Sequence, residues 1–276
     1  MSRSPTELRA ALARTLRRVG RRAAQRTVCL QTDGVLSWDV ARRDAIESPA
    51  TARFDHFDAW CAANEGCDAR LFVSGHLLHS LWIDPALRLA DEAAVRAYAR
   101  QQFAHYHGAP ARQWPLAVWA DGAQAGACAL HALDLDALRA SAARHGVRLH
   151  SVAPLWSAGL GSLTTRVPAF AAAGPRALAL VEGTLVTWLV ADAGRVLALQ
   201  QRFLDAPQVD SLAALLARLV AEFGPMAGLP VAIGWGLHDA EPGTEITSNL
   251  SAHLIGSLDG SEPPADWVLD TMRGAA

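Results

Sequence analysis

The chain has 276 residues, of which 51% are hydrophobic and 19% are charged. This composition excludes an intrinsically disordered protein and supplies enough apolar side chains for one large core or two smaller ones. No stretch reaches the roughly 20 uninterrupted apolar residues of a membrane-spanning helix, and no apolar leader follows the first arginines. The sequence therefore predicts a protein of the cytoplasm.

Positive charge is concentrated at the N-terminus, where eight arginines fall within residues 1–26 and Glu7 is the only acid. Apolar residues recur there every three or four positions, which predicts a basic amphipathic helix. Such an arm suits an anionic membrane surface, placing the protein peripherally at the inner membrane, or an acidic partner or nucleic acid. A solvated helix packed on its own domain would show the same pattern. The expected contact residues are Arg14, Arg17, Arg18, Arg21 and Arg22.

Strand and helix patterns alternate after the arm, beginning with a hairpin whose turn is Asp33-Gly34. The helix at 91–108 has Asp91 as its N-cap and Gly108 at its end, and Pro154 marks a boundary between two halves. Strands are predicted at 27–31, 35–40, 70–74, 77–83, 113–119, 125–131 and 147–152, and helices at 54–63, 91–108 and 134–145.

The second half carries the clearest strand signal of the chain. Residues 177–204 read as three apolar strands broken at Gly183 and Gly194, which predicts an antiparallel meander. A helical pattern at 155–170 precedes the meander, and a helix at 211–223 and a strand at 231–235 follow it. The tail after Glu241 is rich in Gly, Ser, Pro and acids and is predicted to be mostly loop.

A three-stranded meander followed by a helix and a further strand is how a ribonuclease H-like domain begins, and two such halves form an actin-like molecule. We therefore predict an α/β protein of two lobes with mixed sheets flanked by helices. The arm occupies 1–26, the first ribonuclease H-like lobe 27–154 and the second 155–276. The duplication depends on both halves having the same strand order.

Five phrases, in this order, resemble the degenerate actin-like proteins of pilus and secretion assembly, namely PilM-like proteins and the cytoplasmic part of GspL-like proteins. They are LFVSGHLLHSLWIDP, AYARQQFAHYHG, QWPLAVW, CALHALDLDALRASAARHGVRLHSVAPLW and ALVEGTLVTWLVADAGRVLALQQRFLD, between residues 71 and 205. The resemblance implies a non-catalytic scaffold that contacts inner-membrane platform proteins of a type IV pilus or a type II secretion system.

The resemblance also implies where nucleotide would bind, because actin-like ATPases hold Mg-ATP between glycine-containing hairpins. The corresponding residues are Asp33, Gly34, Glu182, Gly183, Gly234 and Gly236. The first hairpin lacks the Asp-x-Gly-x-Ser/Thr loop, Glu182 directly precedes Gly183, and Trp235 would crowd an adenine. We expect no nucleotide and a pseudo-ATPase, and we predict no catalytic residues.

Metal chemistry is not expected either. His105 and His107 precede Gly108, where imidazoles complement the helix dipole, and His76 and His79 would lie on opposite faces of a strand. The carboxylates do not form a nuclease set, and four separated cysteines fit neither a zinc site nor a disulfide framework. The alternatives to the scaffold are an ATP-binding actin-like ATPase and a nucleic-acid binder that uses the arginine arm.

Overall fold

The computed structural model describes residues 25–39, 52–121, 124–158, 174–192, 195–205, 209–223, 229, 231–235 and 252–257. The arm up to residue 24, Gly236 and the helix pattern beyond residue 158 lie outside these ranges. The first strand begins at Gln25, so the last two residues assigned to the arm belong to a sheet.

The first lobe is built on a five-stranded sheet. The hairpin predicted around Asp33-Gly34 is present and carries its first two strands, and the order across the sheet is β3-β2-β1-β4-β8. The first three strands are antiparallel and the last three are parallel. The strands are β1 (Gln25–Gln31), β2 (Gly34–Asp39), β3 (Ala52–Phe54), β4 (Asp68–Val73) and β8 (Arg148–Pro154).

Three helices belong to the first half: α1 (Phe57–Ala63), α2 (Glu92–His107) and α3 (Leu135–Arg144). As predicted, the Asp91 side chain accepts a hydrogen bond from the Ala94 N–H and caps α2, while Asp134 caps α3. Helix α1 begins later than predicted because Phe54 belongs to β3, a three-residue strand too short to give a periodic signal.

A second, three-stranded sheet is inserted between β4 and α3. Its order is β5-β7-β6, all antiparallel, with β5 at Leu78–Ile83, β6 at Leu116–Asp121 and β7 at Gln124–Leu130. Helix α2 packs on it through Ala99 and Phe103. The insertion leaves β5 and β6 as the two edges of this sheet.

The second lobe repeats the plan of the first. The predicted meander forms β9 (Arg176–Glu182), β10 (Leu185–Asp192) and β11 (Arg195–Phe203), followed by α4 (Val209–Phe223), β12 (Val231–Trp235) and β13 (Ala252–Ser257). The order β11-β10-β9-β12-β13 matches that of the first lobe strand for strand. Since the duplication required this match, it is confirmed. Strand β13 corrects the expectation that the tail is mostly loop at these residues, because its parallel partner β12 is distant in sequence.

The two faces of the second sheet have different partners, because side chains alternate along a strand. One face carries Val186, Trp188 and Val190 and packs on Leu212 and Leu216 of α4. The other face contributes leucines to the core of the first lobe, namely Leu178, Leu180, Leu189 and Leu199. The lobes thus share a continuous apolar core.

Candidate functional site at the junction of the lobes

The junction is closed by a polar contact between residues 107 positions apart. Glu182 continues the face of β9 that carries Leu178 and Leu180, so its side chain points into the first lobe. There its carboxylate oxygens accept the N–H of Gly75 at 3.2 and 3.0 Å. Gly75 opens the short 3-10 turn Gly75–Leu77 that follows β4. The turn that follows β4 in the first lobe is therefore bound directly to a hairpin of the second lobe.

Gly75 has no side chain where the second lobe approaches most closely. A Cβ atom there would lie 2.7 Å from Cδ2 of Leu185, 2.9 Å from Oε2 of Glu182 and 3.1 Å from Nε2 of Gln201. Any other residue would require these side chains of the second lobe to shift, since the distances are shorter than van der Waals contact. His76 adds a second contact, with its Nε2 lying 2.7 Å from the carbonyl oxygen of Glu182.

Burial dominates the electrostatics of this contact. Only 5% of Glu182 is exposed, and burial raises the pKa of its carboxyl, opposed by hydrogen bonds from Ser74 and Gly75 and by His76. Burial also raises the pKa of the Cys29 thiol, and the nearby carboxylate of Glu182 adds to that effect. The carboxylate of Glu182 thus has its hydrogen-bond partners within the protein.

Five of the six predicted nucleotide residues have defined positions in the structure, and Gly236 lies outside the described residues. Asp33 is in the exposed β1–β2 turn, where its carboxylate pairs with Arg53 of β3. A Cβ atom on Gly34 would lie 2.7 Å from the carbonyl oxygen of Phe54, so this glycine permits packing against β3. Gly183 makes the exposed β9–β10 turn at φ +59°, and Gly234 lies in β12.

A groove of about 400 Å³ lies between the first lobe and the inserted sheet. Every residue from Leu149 to Pro154 lines it. Consecutive residues of a strand can all line a groove only when the strand presents its edge, and β8 is the edge strand of its sheet. The opposite wall begins with Leu116 and Ala117 of β6, also an edge strand.

The floor of this groove is apolar, and its charged lining residues are basic. Val73, Leu78, Cys128 and Leu130 form part of the floor, and Arg139 and His150 are the ionisable lining residues besides Cys128. No carboxylate lines it. The groove was not predicted, since its two walls come from different sheets and neither strand shows a sequence signal for its free edge.

Three histidines meet on the inserted sheet, contrary to the expectation of separate capping and surface residues. The imidazole of His79 in β5 is stacked between those of His107 and His131, with ring centroids 4.0 and 4.3 Å apart. Trp114 lies against the same stack. His76 is in the 3-10 turn and not in the strand with His79. The nitrogen lone pairs of stacked imidazoles lie in separate ring planes and do not converge on one metal ion. No group of metal-binding side chains occurs among the described residues.

No protein-family model and no curated protein matches the chain, but solved structures do. One is a Bacteroides thetaiotaomicron protein with an actin-like ATPase fold and unknown function, with 11% identity, a TM-score of 0.50 and coverage of 80% of this chain and 84% of that one. Another is the PilM-PilN type IV pilus biogenesis complex, with 12% identity, a TM-score of 0.51 and coverage of 78% and 82%.

A third similar structure is the cytoplasmic domain of EpsL, an inner-membrane component of the type II secretion system of Vibrio cholerae. It has 15% identity and a TM-score of 0.49 and covers 78% of this chain and 83% of that chain. The chain has the actin-like fold predicted from its sequence. None of the helices in the described ranges is long and apolar enough to cross a membrane.

The stacked histidines predict a defined pH dependence. Burial, with the neighbouring His107 and His131, lowers the pKa of His79 from 6.5 to about 4. As the pH falls below 6.5, the unfolded chain binds a proton that folded His79 does not, so stability present above pH 6.5 is lost towards pH 4. In urea unfolding, His79→Gln should show a smaller loss of unfolding free energy over this interval than the wild type.

The matched control is His105→Gln, since His105 is an exposed histidine of α2 outside the three-ring stack. This variant should keep the wild-type dependence on pH. Parallel curves for the wild type and His79→Gln would show that the stack does not hold His79 neutral.

Proposed function

We propose that this chain is a non-catalytic scaffold of the inner-membrane assembly platform of a type IV pilus or a type II secretion system. The groove between β8 and the inserted sheet is the observation that carries the proposal. Strand β8 presents its free edge to this groove, and such an edge offers unpaired backbone groups to an added segment. The similarity in fold to the PilM-PilN complex supports the choice of system.

The occupant that fits the groove is an extended, mainly apolar segment of a platform protein. The backbone of such a segment would pair with the edge of β8, and alternate side chains would enter the apolar floor around Leu78 and Leu130. Arg139 lies 3.1 Å from a carboxylate oxygen of Asp136 and His150 lies 3.4 Å from one of Asp68, so the apolar floor and not charge would select the segment. Binding of this kind needs no catalytic residue.

The junction supports a function without nucleotide chemistry. An actin-like ATPase needs an acidic side chain free to act near the metal, and the carboxylate of Glu182 is instead buried against Gly75. Asp33, the acid of the other hairpin, pairs with Arg53. We therefore assign the two hairpins a structural role and describe the protein as a pseudo-ATPase.

The basic arm is the second proposed contact, with the anionic membrane surface or an acidic platform protein as its partner. The charge of Arg14, Arg17, Arg18, Arg21 and Arg22 supports this assignment, and with it we propose a location in the cytoplasm at the inner membrane.

Removal of the arm should separate location from folding. Because β1 begins at Gln25, deletion of residues 1–24 should leave the melting temperature close to that of the full chain. The deleted protein should move from the membrane fraction to the supernatant of lysed cells. An unchanged distribution between the fractions would remove the arm from the proposal.

Photocrosslinking in the native host tests the groove directly. A benzoylphenylalanine placed at Ser151, which lines the groove on β8, should form an adduct with an inner-membrane protein of the pilus or secretion platform. The control is the same residue at Ala52, exposed on β3 at the opposite edge of the same sheet. Mass spectrometry should find the platform adduct at Ser151 and not at Ala52. Adducts common to both sites, or none at either, would contradict a docking role for the groove.

A further inference from the structure

The side chain of Gln201 joins the second lobe to an edge of the inserted sheet. Its Oε1 accepts the N–H of Ser80 at 3.0 Å, and its Nε2 donates to the carbonyl oxygens of Gly75 at 3.1 Å and Leu78 at 3.4 Å. Leu78 and Ser80 both belong to β5. One side-chain amide thus supplies the acceptor and the donor that a neighbouring strand would offer to this edge.

The groove wall is built on this same strand. Strand β5 pairs with β7 from Leu78↔Leu130 to Ile83↔Ala125, and β7 in turn pairs with β6. Leu78, Cys128 and Leu130 line the groove, and β6 contributes Leu116 and Ala117. A sheet held together by such ladders shifts as a unit, so a displacement of β5 carries this wall with it.

The other wall does not depend on Gln201. Strand β8 pairs with β4 inside the first lobe, from Asp68↔Arg148 to Val73↔Pro154. Helix α3 is packed against the same lobe through Leu138 and Ala142. The width of the groove is therefore the separation between β8 and an inserted sheet that packs on the first-lobe core through Leu78 and Cys128 and is bonded to the second lobe through Gln201.

We propose that Gln201 is a positioning residue through which the second lobe sets the width of the groove. The structure of the second lobe is thereby coupled to the shape of the binding surface without any ligand at the junction. Only the use of this width for binding a partner rests on the proposed function. The positioning itself is a property of the protein alone and is measured without a partner.

The neighbouring Gln200 provides a matched control. It is the same residue type in the same strand, but its side chain lies on the opposite face of the sheet, because side chains alternate. Gln201 faces Gly75 and Ser80, whereas Gln200 is paired across the sheet with Trp188, which packs in the core around α4. Methionine has nearly the shape of glutamine and makes none of its hydrogen bonds.

Distance measurement between the walls tests the proposal. Ala117 of β6 and Ser151 of β8 are exposed groove residues, and cysteines introduced there accept nitroxide labels while the four native cysteines are buried. Double electron-electron resonance on the full chain should give one narrow distribution for the wild type and for Gln200→Met. Gln201→Met should give a broader distribution, with a mean displaced by more than the wild-type width.

Identical distributions for folded Gln201→Met and the wild type would overturn the proposal. If Gln201→Met does not fold, Gln201→Glu replaces it, because a carboxylate oxygen still accepts the Ser80 N–H but cannot donate to Gly75 and Leu78. This variant should show an intermediate displacement, and a wild-type distribution would again overturn the proposal. If Gln201→Met displaces the wall but Ser151 forms no platform adduct, the docking role of the groove is rejected and the positioning role of Gln201 stands.

Discussion

The contact between the N–H of Gly75 and the carboxylate of Glu182 is the constraint on which the rest of the structure depends. It exists because a residue without a side chain follows β4 at the point where three strands of the second lobe converge. With the strand ends fixed there, the leucines of β9, β10 and β11 complete the core of the first lobe. The same approach brings Gln201 within hydrogen-bonding distance of β5 in the inserted sheet.

Burying the carboxyl group of Glu182 raises the free energy of the folded state, and nearby hydrogen-bond donors offset part of that increase. An ionised carboxylate removed from water is stable only when hydrogen bonds or opposite charges replace its hydration. The Gly75 N–H, the Ser74 side chain and the neighbouring His76 supply part of that replacement. The raised pKa of Glu182 shows that they do not supply all of it. The burial of this carboxyl group is therefore better explained by its role in joining the lobes.

Local sequence patterns predict most of the helices and strands. The features that they miss depend on contacts between residues that are distant in the sequence. The meander at 177–204 was predictable because alternation and turn residues act within a few positions, and Asp91 and Gly108 delimit α2 for the same reason. Strand β13 lay in a polar tail, and its pairing with β12 is a tertiary contact. The histidine stack joins β5, the end of α2 and the residue after β7, so no spacing along the chain reveals it.

The candidate site was only partly predictable for the same reason. The sequence marks Glu182 as an acid beside a glycine, but its partner Gly75 is 107 positions away, beyond the reach of any local pattern. Glu182 is therefore a structural hydrogen-bond acceptor, whereas the sequence marked it as a candidate nucleotide-binding residue. The sequence gives no signal for Gln201, because the residue type does not distinguish a glutamine that faces solvent from one that hydrogen-bonds to another sheet.

The central claim is that the lobes close on each other and not on a nucleotide, and the melting temperature in Mg-ATP tests it most directly. A nucleotide at a hundredfold excess over its Kd would add about 2.7 kcal/mol to the stability of the folded state. For a chain of this size that corresponds to a rise of roughly 5 to 10 °C. We predict the same melting temperature with Mg-ATP as with Mg²⁺ alone. A rise that saturates with increasing Mg-ATP would contradict the account and favour an ATP-binding protein.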